Sequence, residues 1–179
     1  IWYLENVFYQ SFGNTYDYIK ENVFNNKDFN NNLMSVGFWP GGDRDGNPFV
    51  TPEITLQVAE RLKRTIIKNY YRDIRELKRR LTFKGVEDKL INIQDKLHEY
   101  IFLRNSKNTF SSKHLMDGLQ QIKLIIIKDH QSLYLNLVDS LINKVKLFGS
   151  HFATMDIRQD SRVHNNVFNE IVKTSIKNK

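Results

Sequence analysis

The chain has 179 residues, 40% of them hydrophobic, which is enough apolar material for one ordinary domain with its own core. It contains no cysteine, and this excludes disulfide bridges, thiolate metal sites and a cysteine nucleophile. The net charge of +7 is compatible with a polyanionic partner. The lack of an apolar run of about 18 residues predicts a soluble protein without a membrane span, and the lack of cysteine is compatible with the cytoplasm.

The predicted elements begin with a helix over residues 1–21, followed by an Asn-rich exposed connection. The apolar stretch 33–39 predicts a short buried strand that leads into a glycine-rich loop, 40–48. Thr51 and Pro52 then start a long helix, as N-cap and first helical residue. Its apolar positions step mostly by four and predict one buried stripe, formed by Ile54, Val58, Leu62, Ile66, Tyr70, Ile74 and Leu81.

A helical scaffold is predicted over residues 52–148, with its later helices at about 86–103, 112–128 and 133–146. Gly149 is placed to end the last of these helices. The pattern as a whole predicts a mainly α fold with about two short β-strands.

The second strand is expected in a strand and site loop over 151–161, which precedes a C-terminal helix over 162–177. Asp160 or Ser161 is placed to cap that helix. The apolar residues of both elements are expected to face inward, and they are Phe152, Met155, Ile157, Val163, Val167, Ile171 and Val172.

The stretch from Phe38 to Thr55 reads FWPGGDRDGNPFVTPEIT; its glycine-rich loop carries three adjacent charged residues, Asp43, Arg44 and Asp45. Glycines permit positive φ angles and close approach, and successive amides in such turns form anion-binding nests. Two interpretations stay open at this point: a tight turn with a surface ion pair, or a site in which the three charged groups orient one another. A calcium loop is not favoured, because Arg44 occupies the intervening position and no glutamate follows at the required spacing.

The second motif reads MDIRQDSRVH from Met155. On a strand, Asp156 and Arg158 point to one side, and Met155 and Ile157 to the other. A buried charged pair needs a partner or a polar cavity, and the arginine fork suits phosphate or carboxylate groups. A purely structural Asp–Arg pair explains these residues equally well, and His164 fits a helix hydrogen-bonding role better than a base.

Ten basic residues follow one another at helical spacing between positions 61 and 84. A solvated helix face is the simplest interpretation. An acidic partner surface in a longer chain, or a basic helical nucleic-acid-binding or scaffold module, are the alternatives. The residues are Arg61, Lys63, Arg64, Lys68, Arg72, Arg75, Lys78, Arg79, Arg80 and Lys84.

The order of three motifs in this chain resembles the order found in phosphoenolpyruvate carboxylases. The motifs are YLENVFYQSF from Tyr3, GGDRDGNP from Gly41 and DIRQ from Asp156. The resemblance covers essentially the whole chain and implies one internal fragment, 1–179, of that lyase. Members join phosphoenolpyruvate to bicarbonate, by way of carboxyphosphate and a metal-stabilised enolate, and yield phosphate and the oxaloacetate that feeds the tricarboxylic acid cycle. Their fold is largely helical around an eight-stranded TIM-like barrel, of which two strands here would form an incomplete part.

The resemblance also implies roles for individual residues. Arg158 takes the place of a substrate-phosphate ligand, with Asp156 and Gln159 as the residues that orient it. Tyr9 stands where many members have a tryptophan near the methylene group of the substrate. The ionic loop beside the active site, with a role in positioning, corresponds to Asp43, Arg44 and Asp45.

Two departures and several omissions limit what the resemblance implies. Asp160 stands where glutamate is usual, and Val163 where arginine is usual. The histidine motif, the metal carboxylates and the mobile glycine-arginine loop of the family have no counterpart here, so the ligands of its Mg or Mn ion are expected outside this chain and the fragment alone is expected to be inactive. The partners implied are phosphoenolpyruvate, bicarbonate, the rest of the parent chain and a homotetramer, with no membrane and no specific nucleic acid.

Overall fold

The computed structural model describes residues 1–27, 29, 31, 33–103 and 110–177. Within these residues the fold is mainly α with two short strands, which confirms the predicted fold class. Part of the predicted scaffold, residues 104–109, lies outside the described residues. The elements are α1 (Tyr9–Asn22), β1 (Gly37–Phe38), α2 (Pro52–Arg80), α3 (Glu87–Phe102), α4 (Ser112–Asp129), α5 (Leu135–Phe148), β2 (Thr154–Met155) and α6 (Ser161–Lys177).

The first helix begins with a π-helical turn, Leu4–Phe8, that continues directly into α1. The later helices of the scaffold begin and end within two residues of the predicted positions. Gly149 forms the C-cap of α5 with a φ of 56°, a conformation that glycine adopts without steric cost. None of the helices in the described part of the chain is long and apolar enough to cross a membrane.

The chain divides into two compact units. The first comprises Ile1–Ser35 and Leu62–Phe152, and the second comprises Val36–Arg61 and Ala153–Lys179. Helix α2 passes through this division, so its first ten residues belong to the second unit and the remainder to the first.

The first unit is a helical assembly in which α5 packs against both α1 and α4, and α3 packs against α4. The apolar stripe of α2 supplies much of its core, because Ile66, Tyr70 and Ile74 have no exposed surface. The Tyr70 hydroxyl donates a hydrogen bond of 2.7 Å to the Gly149 carbonyl, which satisfies the one polar atom of this buried ring. Burial raises the pKa of Tyr70 well above its usual value.

The second unit contains a two-stranded parallel sheet in which Gly37 pairs with Thr154 and Phe38 with Met155. Parallel strands need a long crossover, and here α2 to α5 lie between β1 and β2 in the chain. Thr51 caps α2 as predicted, because its hydroxyl accepts a hydrogen bond of 3.4 Å from the Ile54 amide.

Several burial predictions are wrong for the second unit and for the residues that directly precede it in the chain. The strands are two residues long, and Leu33, Trp39 and Ile157 are 62%, 57% and 60% exposed, since a sheet of two short strands offers little surface to cover them. Ile54, at the start of the α2 stripe, is also exposed. The apolar residues of α6 remain accessible because an amphipathic stripe predicts burial only where another element covers it; Val163, Val167, Ile171 and Val172 are 38% to 59% exposed.

Candidate functional site

The two sequence motifs lie side by side in the second unit. Beyond the two-residue ladder of β1 and β2, the Asp156 amide donates to the Phe38 carbonyl at 3.1 Å, and the pairing continues past the strands. The Arg158 amide donates to the Gly42 carbonyl and the Arg158 carbonyl accepts from the Arg44 amide, both at 3.0 Å. These two bonds form an isolated parallel bridge between Asp43 and Arg158, so the glycine-rich loop holds the backbone of the DIRQ motif.

A close backbone approach explains the second glycine of the loop. A Cβ atom at Gly42 would lie 2.1 Å from the carbonyl oxygen of Asp156, far inside contact distance. Gly41 has a φ of 85°, and a Cβ there would also meet Val58 at 2.6 Å. Both positions therefore require glycine for the loop to pass between α2 and the DIRQ segment.

The side chain of Arg158 is exposed and its guanidinium lies 5.8 Å from the centre of the Trp39 ring. At this distance a cation over an indole face is held by the ring quadrupole without losing its hydrogen-bond donors. The backbone of Arg158 is fixed by the loop, while its donors face solvent. This is a suitable arrangement for binding an anionic group from solution.

The Arg44 side chain contacts different groups from the Arg158 side chain. Its Nη2 donates to the Thr55 hydroxyl at 3.0 Å, and that hydroxyl donates to the Gly41 carbonyl at 2.6 Å. The Nε of Arg44 is buried and has no hydrogen-bond partner among the described residues. Arg44 thus lies against the loop and the first turn of α2, where it can position the loop.

The other predicted site residues of this unit make local contacts. The Asp43 carboxylate accepts from the Asp45 amide at 3.4 Å, which is the geometry of an Asx turn. The Gln159 side-chain oxygen accepts from the Asp160 amide at 3.0 Å, and Asp156 is exposed beside the loop. Asp45 is exposed at the tip of the turn.

Asp160 caps α6, as one of the two alternatives from the sequence predicts. Its carboxylate accepts from the amide and from the guanidinium of Arg162, at 2.7 and 2.9 Å. The bonds from Arg162 lower the pKa of Asp160 because they favour the ionised carboxylate. His164 is exposed in the first turn of the same helix, and its backbone amide bonds to the Asp160 carbonyl.

Tyr9 lies in the core of the first unit, where it is 4% exposed. Its ring stacks on Phe148, and its hydroxyl donates to the Asp73 carboxylate at 2.8 Å. The Lys144 ammonium binds the same carboxylate at 2.9 Å and lies 4.8 Å from the centre of the Tyr9 ring. Burial, with the neighbouring Asp73 charge as a further cause, raises the pKa of Tyr9 well above its usual value.

Much of the basic series on α2 in the first unit has partners within that unit. The Arg64 guanidinium donates to the Ile101 carbonyl, and Arg72 pairs with Glu5 at 2.6 Å. Three further residues engage neighbouring side chains: Lys63 lies over the Tyr100 ring, Arg75 over the Tyr71 ring, and Arg79 pairs with Glu76. These contacts reduce the number of cations left for a polyanion, and they give several of these residues intramolecular partners that a purely solvated helix face would not have.

Sequence reasoning missed two residues of the site, Trp39 and Thr55. Trp39 was predicted only as the end of a strand, although an aromatic residue directly before a charged loop is a signal for a cation partner. Thr55 lies four residues after the N-cap Thr51, on the side of the first helical turn that faces back to the preceding loop. No group of three or more His, Asp or Glu side chains that could hold a metal ion occurs among the described residues.

Comparison with known proteins agrees with the two motifs. The sequence model of the family described as phosphoenolpyruvate carboxylase matches residues 1–102 and 80–178. The chain is 27% identical over 161 residues to the phosphoenolpyruvate carboxylase of Aeromonas salmonicida, and the match covers 75% of this chain and 18% of that protein. It is 30% identical over 167 residues to the phosphoenolpyruvate carboxylase of Aliivibrio salmonicida, with 78% and 19% covered.

The enzyme of the same name from Shewanella sediminis is 30% identical over 164 residues, covering 75% of this chain and 19% of that protein. The chain therefore spans about a fifth of the length of the curated relatives it matches. Because the family model matches almost every residue, including both motifs that the second unit brings together, the chain belongs to the phosphoenolpyruvate carboxylase family.

Proposed function

We propose that this chain is the part of a phosphoenolpyruvate carboxylase that supplies the phosphate-binding wall of the active site. The complete enzyme carboxylates phosphoenolpyruvate with bicarbonate and releases oxaloacetate and inorganic phosphate, an anaplerotic reaction that feeds the tricarboxylic acid cycle. Family membership supports the reaction. The observation that carries the role of this segment is the exposed Arg158 guanidinium, whose backbone is held by the glycine-rich loop.

In this proposal Arg158 binds the phosphoryl group of phosphoenolpyruvate as that group is transferred to bicarbonate. Charge redistributes over the phosphoryl oxygens in such a transfer, and a fixed cation stabilises it more effectively than a mobile one. The bridge between Asp43 and Arg158 restricts the backbone, and the Trp39 ring lies beside the guanidinium. Both contacts reduce the rotational freedom that Arg158 would otherwise lose on binding.

The remaining predicted residues have secondary roles in the proposal. Asp156, exposed beside Arg158, is proposed to orient the guanidinium when the substrate is bound. Gln159 is proposed to assist it, although its oxygen accepts from the Asp160 amide in this structure. Tyr9, which is enclosed in the core of the first unit, is proposed to stand near the methylene group of the substrate in the complete enzyme, as the family resemblance implies.

The Mg or Mn ion expected for the family is not assigned to any residue of this segment. The described residues contain no cluster of carboxylates and imidazoles with which such an ion could be held. Its ligands, together with the rest of the parent chain and the homotetramer expected for the family, belong to the remainder of the enzyme in this proposal, and the 179 residues by themselves are expected to be inactive.

The test is substitution of Arg158 in the full-length protein that contains this segment. Arg158→Ala removes a charge-assisted contact to the transferred group, and we expect the transition state to lose about 2 to 4 kcal/mol. This corresponds to a fall in kcat/KM for phosphoenolpyruvate of about 30-fold to 1,000-fold. Arg158→Lys retains the charge without the fork of the guanidinium, and its kcat/KM should lie between those of Arg158→Ala and the unmodified enzyme.

A matched control is Arg79→Ala on α2, which removes an exposed arginine that pairs with Glu76. We expect its kcat/KM to stay within about twofold of the unmodified enzyme because a surface pair of this kind contributes little. Oxaloacetate production can be followed by coupling it to NADH oxidation through malate dehydrogenase. If Arg158→Ala retained the kinetics of Arg79→Ala, the phosphate role of Arg158 would be rejected.

A further inference from the structure

The hydroxyl group of Thr55 connects two parts of the glycine-rich loop. Thr55 is 7% exposed in the first turn of α2, and the sequence motifs assign no role to it. Its Oγ1 accepts from Arg44 Nη2 at 3.0 Å and donates to the Gly41 carbonyl at 2.6 Å. The Thr51 carbonyl lies 3.2 Å away and is the weaker of the two acceptors for this single proton.

The direction of these bonds makes the connection stronger than a typical hydroxyl contact. A cationic donor on the oxygen polarises the O–H group, which then donates more strongly to its acceptor. The 2.6 Å distance to Gly41 is at the short end of the range for O–H···O bonds. The hydroxyl therefore couples the position of the Arg44 side chain to the backbone of Gly41.

The two residues held by this hydroxyl flank the atoms that hold Arg158. The Gly42 carbonyl, one residue after Gly41, accepts from the Arg158 amide, and the Arg44 amide donates to the Arg158 carbonyl. A displacement of Gly41 or Arg44 would thus change both hydrogen bonds of the Arg158 backbone. Arg158 itself makes no direct contact with Thr55 in this chain of bonds.

The Arg44 guanidinium depends on the Thr55 hydroxyl for its own position. Its Nε is already buried with no hydrogen-bond partner among the described residues. If the hydroxyl were lost, Nη2 would also lose an acceptor, and a partly buried guanidinium with two unsatisfied donors is unfavourable. The expected response is a movement of Arg44 toward water, which pulls on the loop at the position of the bridge.

We propose that Thr55 is a positioning residue for the reaction, which sets the orientation of Arg158 through the Arg44 side chain and the Gly41 carbonyl. The inference rests on the proposed function of Arg158, and it adds a residue on α2 that does not touch the substrate. It assigns to the start of α2 a role in substrate binding besides its role as scaffold.

The test compares Thr55→Val and Thr55→Ser in the full-length protein, with Arg158→Ala measured in parallel. Valine keeps the branched shape and removes the hydroxyl, whereas serine keeps the hydroxyl and removes a methyl group. Because a misplacement of about 1 Å costs roughly 100-fold in rate, we expect Thr55→Val to lower kcat/KM for phosphoenolpyruvate by about 10-fold to 100-fold. Most of this loss should appear as a higher KM for phosphoenolpyruvate, with the KM for bicarbonate within about twofold.

Rescue by serine separates positioning from a purely structural role. Thr55→Ser is expected to retain a KM for phosphoenolpyruvate within about threefold of the unmodified enzyme, even where both variants lower the thermal midpoint. A Thr55→Val enzyme with an unchanged KM, or a Thr55→Ser enzyme with the same defect as valine, would overturn the inference. If Thr55→Val cannot be recovered folded, Arg44→Lys, which removes the Nη2 donor, is measured in its place. A higher KM for phosphoenolpyruvate in Arg44→Lys would support the inference, and an unchanged KM would overturn it.

The parallel variant distinguishes this inference from the proposed function. A severe loss in Arg158→Ala combined with normal kinetics in Thr55→Val would leave the role of Arg158 intact and reject the role of Thr55. Normal kinetics in Arg158→Ala would reject the proposed function itself. A defect in Thr55→Val could then not act through Arg158, and the inference about Thr55 would be rejected as well.

Discussion

Replacement of Gly42 by alanine tests the close approach on which the site depends. The new Cβ would lie 2.1 Å from the Asp156 carbonyl oxygen and 3.1 Å from its carbonyl carbon. Real Cβ atoms essentially never approach another atom to less than 3.0 Å, so the loop and the DIRQ segment must separate by about 1 Å. Since the obstructing atoms belong to the backbone, no side-chain rotation can relieve the contact.

The expected cost follows from this displacement. Overpacking against a rigid neighbour costs about 3 kcal/mol, at the upper end of the range for added methyl groups, and thermal or urea unfolding of the chain should show it. The same shift moves the two hydrogen bonds on the Arg158 backbone. In the full-length protein, kcat/KM for phosphoenolpyruvate should therefore fall by about 100-fold.

Gly118→Ala is the matched control, because its Cβ would also approach a neighbour closely, at 2.9 Å. That neighbour is Cδ1 of Ile93, the far end of a flexible side chain, and alanine also favours the helix in which Gly118 lies. We expect its stability to change by less than about 1 kcal/mol, with normal kinetics. Equal effects of the two substitutions, or normal kinetics for Gly42→Ala, would refute the close approach as a requirement of the site.

Two further predictions concern the network around Tyr9. The pKa values of Tyr9 and Tyr70 are raised in the folded chain, so their contribution to stability is complete below about pH 10 and is lost as the pH rises further. Tyr9→Phe should therefore reduce the steepness with which the free energy of unfolding falls above pH 10, by about 1.4 kcal/mol per pH unit. Urea titrations at several pH values measure this slope, and an unchanged slope would contradict the prediction. Lys144→Met leaves the Asp73 carboxylate without its cation and should lower the free energy of unfolding by about 2 kcal/mol, less than a fully buried pair would lose because Asp73 is partly exposed. Lys173→Met, which breaks an exposed pair on α6, should change it by less than about 0.5 kcal/mol, and equal losses would count against the buried network.

Local chemistry was sufficient to predict most of the helices. The start of α2 followed from the cap at Thr51 and from Pro52, and its buried stripe from apolar residues that recur every four positions. The end of α5 followed from Gly149, which adopts the positive φ that a helix terminus often requires. These features depend on residues within one or two turns of each other, so sequence contains them directly.

Burial was predicted less well where it depends on what covers a surface. Ile157 and the apolar face of α6 have the pattern of inward-facing residues and are exposed in the described structure. Tyr9 shows the opposite case, because the aromatic pattern alone could not place its hydroxyl on Asp73 or its ring beside Phe148, more than 60 residues away in the chain. The partners of these side chains come from distant positions that a local period cannot specify.

The sequence by itself determined the family of this protein, through two uninterrupted motifs in the right order, and the helices, through caps and period. Only the tertiary structure decided that the two motifs, more than 100 residues apart, share a parallel bridge at Asp43 and Arg158. It also decided that Thr55 joins Arg44 to the loop, and that much of the basic series of α2 contacts other residues of the first unit. The physical reason is that helix caps and amphipathic stripes arise from neighbours in the chain, whereas hydrogen bonds between loops arise from the path of the backbone between them.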